Sequence, residues 1–278
     1  GQAWGAQNLE KVRNVVGSTL FMTLLGGTVI AILGVIFAEH LLLALGLDDD
    51  VMHLSLPYVQ WMLAGSPLLF IYIVYTSILR GVGDSKTPLY ASTMSIGVGV
   101  ITTPVLIAGY FGFPKLGTLA PAIATNLGMF TVLLFLIIYL NKTDHPLKPD
   151  LNLIKNIRHH PQLSKIILRL GIPTGVQMIT TSVAGLVIIG LVNRHGADAT
   201  AAYGAVNQVL NYIQFPALSI AIAASIFAAQ AIGAGKSDLL SKVTKTALSM
   251  NFLFTGGLVI LAYLFSKYLM ALFITDPN

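Results

Sequence analysis

Seven apolar runs, each long enough to cross a bilayer, leave this chain almost no choice of fold. They cover about 15–38, 55–80, 88–110, 117–140, 164–192, 200–230 and 243–266, and spanning needs roughly 20 apolar residues. In hydrocarbon every backbone polar group must be satisfied within its own segment, so runs of this kind fold as helices. Composition agrees: only 10% of residues are charged, against about 25% in an ordinary soluble domain. The expected fold is therefore an all-α integral membrane protein with about seven complete transmembrane helices. Glycines and prolines inside the runs (Gly26, Gly27, Gly97, Gly99, Pro104, Pro173, Pro216) are tolerated at membrane depth. The glycines at 26–27 and at 97 and 99 are read as helix-packing sites.

A short motif divides the chain in two. Gly1-Gln2-Ala3-Trp4-Gly5-Ala6 returns as Ala229-Gln230-Ala231-Ile232-Gly233-Ala234, with four of six positions identical. Each copy is followed by a polar, basic segment and then by an apolar run with a Gly-Gly pair, Gly26-Gly27 and Gly256-Gly257. The copies lie 228 residues apart. That is too long for a solenoid unit and suits one half of a transporter built from repeats. Two helical lobes related by internal duplication are expected: 1–140, and the start of a second lobe at 164–278. The polar, basic segment 141–163, with Pro146, Pro149 and Pro161, is read as a linker between bundles. Equal halves would give an intact protein of about 450 residues and 12 spans. The opening Gly1 suggests that the native start lies upstream.

Charge fixes an orientation. If the loop after Ala6 is cytoplasmic, 13 of the 16 Lys and Arg residues fall on the cytoplasmic side. The other side holds Lys115, Arg194 and Lys267. The positive-inside rule then places loops 7–14, 80–88, 141–165 and 235–245 in the cytoplasm of an inner (plasma) membrane protein. The net charge of +5 reflects this topology rather than nucleic-acid binding. The acidic run Asp48-Asp49-Asp50 reads as a solvated outer loop, because a calcium site needs more oxygen ligands. His159-His160 lacks a third ligand for a metal. The basic residues around it suit anionic lipid head groups or topology alone. The absence of cysteine excludes disulfides and thiolate chemistry.

None of the 11 acids lies inside a predicted span. A membrane-embedded hydrolase, which needs paired acids or histidines at depth, is disfavoured, and the chain is not read as an enzyme. Ion-coupled transport ordinarily uses an intramembrane ionisable group. Any such carboxylate is expected outside these residues. No metal site and no cofactor beyond a coupling ion is expected. Neutral polar residues do reach membrane depth. Tyr203, Asn207, Asn211 and Gln214 share one helix face, and Pro216 frees a carbonyl one turn back. Thr174, Gln177 and Thr181 form a similar stripe after Pro173. Tyr72, Tyr75, Thr76, Thr125 and Asn126 are further candidates. Such residues either line a wet cavity or hydrogen-bond between helices.

The stretch Leu79-Arg80-Gly81-Val82-Gly83-Asp84-Ser85-Lys86-Thr87-Pro88 resembles the loop after the fourth helix of MATE (multidrug and toxic compound extrusion) transporters, in the multidrug/oligosaccharidyl-lipid/polysaccharide flippase superfamily. The Gln-Ala-x-Gly-Ala helix ends, the Gly117–Thr125 stretch and Gly171-Ile172-Pro173 resemble the same family in the same order. The resemblance implies two six-helix lobes around a central cavity, with about the first two and last three helices outside this chain. It implies a secondary antiporter exporting organic cations in exchange for H⁺ or Na⁺, its partners being those cations and membrane lipids, with the protein monomeric. The alternative is a lipid-linked precursor flippase of the same superfamily. The substrate cavity implied here is Tyr203, Asn207, Asn211, Gln214, Gln177, Thr181, Tyr72, Tyr75 and Asn126. Departures matter. The family's helix-one Asp would precede residue 1. Where many members have a helix-seven Glu, this chain has Gln177, Thr180 and Thr181. Gly99 and Thr103 stand where many have Asn and Asp. These losses favour proton coupling through helix one or a divergent subgroup.

Overall fold

The computed structural model describes residues 1–44, 49–266 and 268. Among them there are helices and no strand. In chain order these are α1 (Gln2–Gly5), α2 (Leu9–Ala44), α3 (Asp49–Ala64), α4 (Ser66–Gly81), α5 (Lys86–Ala108), α6 (Ala120–Lys142), α7 (Leu151–Lys155), α8 (Pro161–Asn193), α9 (Ala197–Gly233) and α10 (Leu239–Leu264). Helices α2, α5, α6, α8, α9 and α10 are each long and apolar enough to span a membrane. The remaining expected span, 55–80, is not one straight helix. It is α3 and α4, bent by 43° at Gly65. The Asp48-Asp49-Asp50 run lies outside the residues whose side chains are described.

The chain forms two compact units, Asn8–Lys165 and Gly1–Gln7 with Ile166–Asn278. In the first, α2 packs along α3 and α4, and α6 packs along α5 while also touching α3 and α4. Val132 is fully buried at the middle of α6, and Leu79, Leu140, Leu147 and Leu153, all at most 2% exposed, lie near the ends of α4 and α6 and in the segment that follows α6. Large apolar side chains along the helices, such as Leu25, Ile36, Ile96 and Ile101, stay exposed. Lipid is as apolar as a leucine, so burying these residues brings no hydrophobic gain.

Within the segment 141–163 expected as a linker, residues 143–160 form a strap docked on the rest of the Asn8–Lys165 unit. Leu147 and Leu153 are buried under it. The Tyr75 hydroxyl donates to the Leu147 carbonyl. Arg13 donates to the Pro146 carbonyl at 3.3 Å and pairs with Asp150 at 3.5 Å. Asp150 also accepts the Leu153 N–H at 2.7 Å, capping α7. Gly17 of α2 lies so close to the Asn156 carbonyl that a methyl group there would overlap it. Ser18 and Ser164 hydroxyls meet at 3.4 Å, and Ser164 also reaches His159 at 3.2 Å.

One strap contact titrates. The His145 Nδ1 accepts the Leu147 N–H at 3.1 Å, so the other nitrogen carries the proton and faces Asp84 at 3.8 Å. Asp84 also accepts the Lys86 and Thr87 N–H groups at the start of α5. Burial pushes the His145 pKa below its usual 6.5, against the pull of Asp84. A histidine depressed on folding binds fewer protons folded than unfolded, so it lowers stability as pH falls. Protonation would also remove the acceptor for Leu147. Strap docking is therefore expected to hold above pH 6.5 and to weaken below it. Hydrogen exchange at residues 143–150 should show this slope, and a His145→Asn variant should lack it.

In the second unit, α10 packs along α9 and α1 packs against α9. Helix α8 packs along no other helix among the described residues. The two copies of the repeated motif meet here. Gly5 lies against the Gln230 carbonyl, and Gly233 lies against the Gln2 carbonyl. Both copies end their helices alike. Ala6 N–H donates to the Gln2 carbonyl at 3.0 Å, and Ala234 N–H to the Gln230 carbonyl at 2.9 Å. The next residues, Gln7 and Gly235, are left-handed with φ of 55° and 70°. A glycine accepts that conformation freely and a glutamine does so at a cost.

Candidate functional site

The α9 stripe forms as spaced. Tyr203 and Asn207 are half-buried, while Asn211 and Gln214 are exposed. Helix α9 continues through Pro216 without a break. The proline removes the N–H that would bond the Tyr212 carbonyl. Among the described residues, the side chains of Asn207, Asn211 and Gln214 make no hydrogen bond. Three amides and a phenol on one face are thus available to a ligand or to water.

On α8, Gln177 and Thr181 are both exposed. The Thr181 hydroxyl donates to the Gln177 carbonyl at 2.9 Å, and Thr174 bonds the Leu170 carbonyl at 3.0 Å. Such bonding to the preceding turn leaves a threonine only its acceptor capacity.

Of the candidates in the Asn8–Lys165 unit, Tyr75 and Asn126 bond backbone carbonyls through their side chains. Tyr72 is half-buried, and its carbonyl accepts the Thr76 hydroxyl at 2.9 Å. Tyr75 is buried and its hydroxyl ties the strap. An apolar hollow of about 280 Å³ beside it, lined by Leu20, Leu24, Ile71 and Leu133, offers no polar group to a cation. Asn126 braces the break between α3 and α4. Its Nδ2 donates to the Trp61 carbonyl at 2.7 Å. Its Oδ1 sits where a Cβ on Gly65 would be.

That break was missed in the sequence, although Gly65-Ser66-Pro67 carries its signal. Pro67 cannot donate to the Leu63 carbonyl, and Gly–Ser pairs and prolines are the usual causes of kinks. Ser66 then donates to the Gly27 carbonyl of α2 at 3.3 Å. A Cβ on Gly27 would come 3.1 Å from the Pro67 Cα. Gly27 is therefore a packing site. Among the described residues, Gly26, Gly97 and Gly99 have nothing within 4 Å of a Cβ placed there, so of these four glycines Gly27 is the one that meets a neighbour.

The MatE family model matches the chain in two stretches, residues 1–105 and 173–278, on either side of the strap. "Probable multidrug resistance protein YoeA" of Bacillus subtilis (strain 168) is 43% identical over all 278 residues, which cover 60% of that protein. The "FAD transporter" of Shewanella oneidensis is 27% identical over 281 residues, covering all of this chain and 61% of that protein. A solved MOP superfamily transporter from Pyrococcus furiosus has the same fold, with a TM-score of 0.87 at 24% identity, covering 100% of this chain and 60% of that one. A multidrug resistance MATE family transporter solved in an outward-facing conformation scores 0.86, at 24% identity, covering 98% of this chain and 59% of that one. The chain thus spans about 60% of the length of these relatives. They are transporters, and the apolar helices make this a multi-pass membrane protein. With the model matched over both stretches, the chain belongs to the MatE family.

Proposed function

We propose that the full-length protein is a multidrug-type secondary antiporter of the inner membrane, exporting organic cations in exchange for H⁺ or Na⁺. Its lobes are 1–140 and the region beginning at 164, joined by 141–163. The observation that carries this reading is the α9 stripe: among the described residues, the amides of Asn207, Asn211 and Gln214 have no hydrogen-bond partner. Tyr203 shares their face, and a tyrosine face attracts a cation by about 0.5–2 kcal/mol. Gln177, Thr181 and Tyr72 are the second rank of the cavity, while Tyr75 and Asn126 support it by holding backbone. The named relatives include both multidrug resistance proteins and a FAD transporter. Cargo is therefore set by the chemistry of the cavity. A flippase for a pyrophosphate-linked precursor is not favoured, since the predicted spans hold no Lys or Arg at mid-membrane.

Asn211→Ala in the full-length protein tests the site. Selection among several unrelated cations should change while the melting temperature stays nearly constant. If Asn211 were interhelical glue, its bond would be worth about 0.6 kcal/mol, and all substrates would suffer alike. Uniform loss of efflux that tracks loss of stability would remove the stripe from the cavity. The proposed sidedness has its own check. Single cysteines in loops 80–88 and 141–165 should resist an impermeant maleimide added to whole cells, whereas one near Lys115 should react.

A further inference from the structure

The two copies of the repeated motif meet in a reciprocal contact. Gly5 faces the Gln230 carbonyl and Gly233 faces the Gln2 carbonyl. A contact in which residue i meets j, and the equivalent of j meets the equivalent of i, has two-fold symmetry. The backbone agrees, because both helices end with the same cap bonds and the same left-handed residue. Neither side presents a side chain at the closest point. A Cβ at either glycine would lie inside the opposing carbonyl. The contact is thus backbone against backbone, without an interlocking side chain. By the charge distribution it lies at the cytoplasmic ends of both helices. The α9 stripe lies 19 to 30 residues away along the helix, about 28–45 Å toward the opposite end.

We propose that this crossing is the cytoplasmic seal of the full-length protein. It closes the cavity at the cytoplasmic end while the α9 stripe is open to the outside, and it parts when the cavity turns inward. This seal presupposes the two-lobe transport plan given above, in which Gln2–Ala6 and Gln230–Ala234 belong to different lobes. A two-fold seal has a distinctive property. One methyl group on either side prevents closure, so the second adds nothing.

The test uses the full-length protein with Asn211→Cys as the only cysteine, in inside-out membrane vesicles. An impermeant maleimide then reaches the site only through the cytoplasmic face. Labelling should be slow in the parent. It should be several-fold faster in Gly5→Ala and in Gly233→Ala, and the double variant should match the singles. Gly26→Ala, whose Cβ meets nothing within 4 Å among the described residues, should label at the parent rate. Parent-rate labelling in properly folded Gly5→Ala and Gly233→Ala would overturn the seal. So would acceleration by Gly26→Ala, or a double variant whose effect multiplies those of the singles. None of these readouts needs a substrate, so failure here is distinct from failure of the cation-export reading. If the alanine variants do not accumulate, a second measurement leaves both glycines intact. A short reducible cross-linker between Gln2→Cys and Gln230→Cys should form and stop efflux until it is reduced. Efflux at the parent rate while cross-linked would overturn the seal.

Discussion

Gly65→Ala should be among the most damaging single-methyl changes in the Asn8–Lys165 unit, and removing Asn126 should partly repair it. The new methyl falls on the Asn126 Oδ1. Asn126 cannot simply swing away, because its Nδ2 holds the Trp61 carbonyl at 2.7 Å. Forced overpacking costs about 1–3 kcal/mol, and losing the membrane-embedded hydrogen bond adds about 0.6 kcal/mol on average. A loss of about 2–3 kcal/mol is expected for Gly65→Ala. Asn126→Ala alone removes only the bond and should cost about 0.6–1.7 kcal/mol. In the double variant the Gly65 methyl enters the space left by the amide. The double should therefore be more stable than Gly65→Ala, a coupling of the kind that neighbouring residues show in a double-mutant cycle. Thermal melting of the four purified proteins measures it. Simple additivity would mean that Asn126 does not sit against Gly65, and the account of the break would fail.

This pair shows where the sequence was legible. The spans could be read because a bilayer forces each to be long, apolar and continuous in sequence. The repeat could be read because duplication preserves order. Its copies proved equivalent down to their helix caps. What escaped was set by contacts between distant residues. Asn126 was singled out as a polar residue at membrane depth, but its partner Trp61 is 65 positions away. Tyr75 was singled out likewise, and the Leu147 carbonyl is 72 positions away. Neither distance leaves a local pattern. The α9 stripe needed only helical spacing to be read. That part of the 141–163 linker docks as a strap was hidden for a related reason. Its prolines and charges are what a free linker carries, and only Leu147 and Leu153 hinted at a buried face.

The strap carries the other large effect, and magnitudes decide which of its contacts dominate. The Arg13–Asp150 pair looks prominent at 3.5 Å, yet both side chains are more than a fifth exposed. Such pairs are worth about 0–1 kcal/mol. Arg13 also has a buried Nε without a hydrogen-bond partner, which offsets part of that gain. Leu147 and Leu153 are at most 2% exposed, and truncating a buried leucine costs about 2–5 kcal/mol. Gly17→Ala also acts at full strength, because its methyl overlaps the Asn156 carbonyl and displaces α7 from α2. Lys155 and Arg158 are exposed in the docked strap, and local opening frees the backbone around them for trypsin. When reclosing is fast, cleavage follows the open population, and about 1.4 kcal/mol changes that population tenfold. Leu147→Ala, Leu153→Ala and Gly17→Ala should therefore speed cleavage at Lys155 and Arg158 by roughly thirtyfold or more. Arg13→Ala should change it by less than about fivefold. Tyr75→Phe should fall between them, because it leaves the buried Leu147 carbonyl without its donor, at about 1–3 kcal/mol. If Arg13→Ala instead outruns the leucine variants, the strap is held by charge rather than by burial. Raising the salt concentration would then release it in the parent protein too.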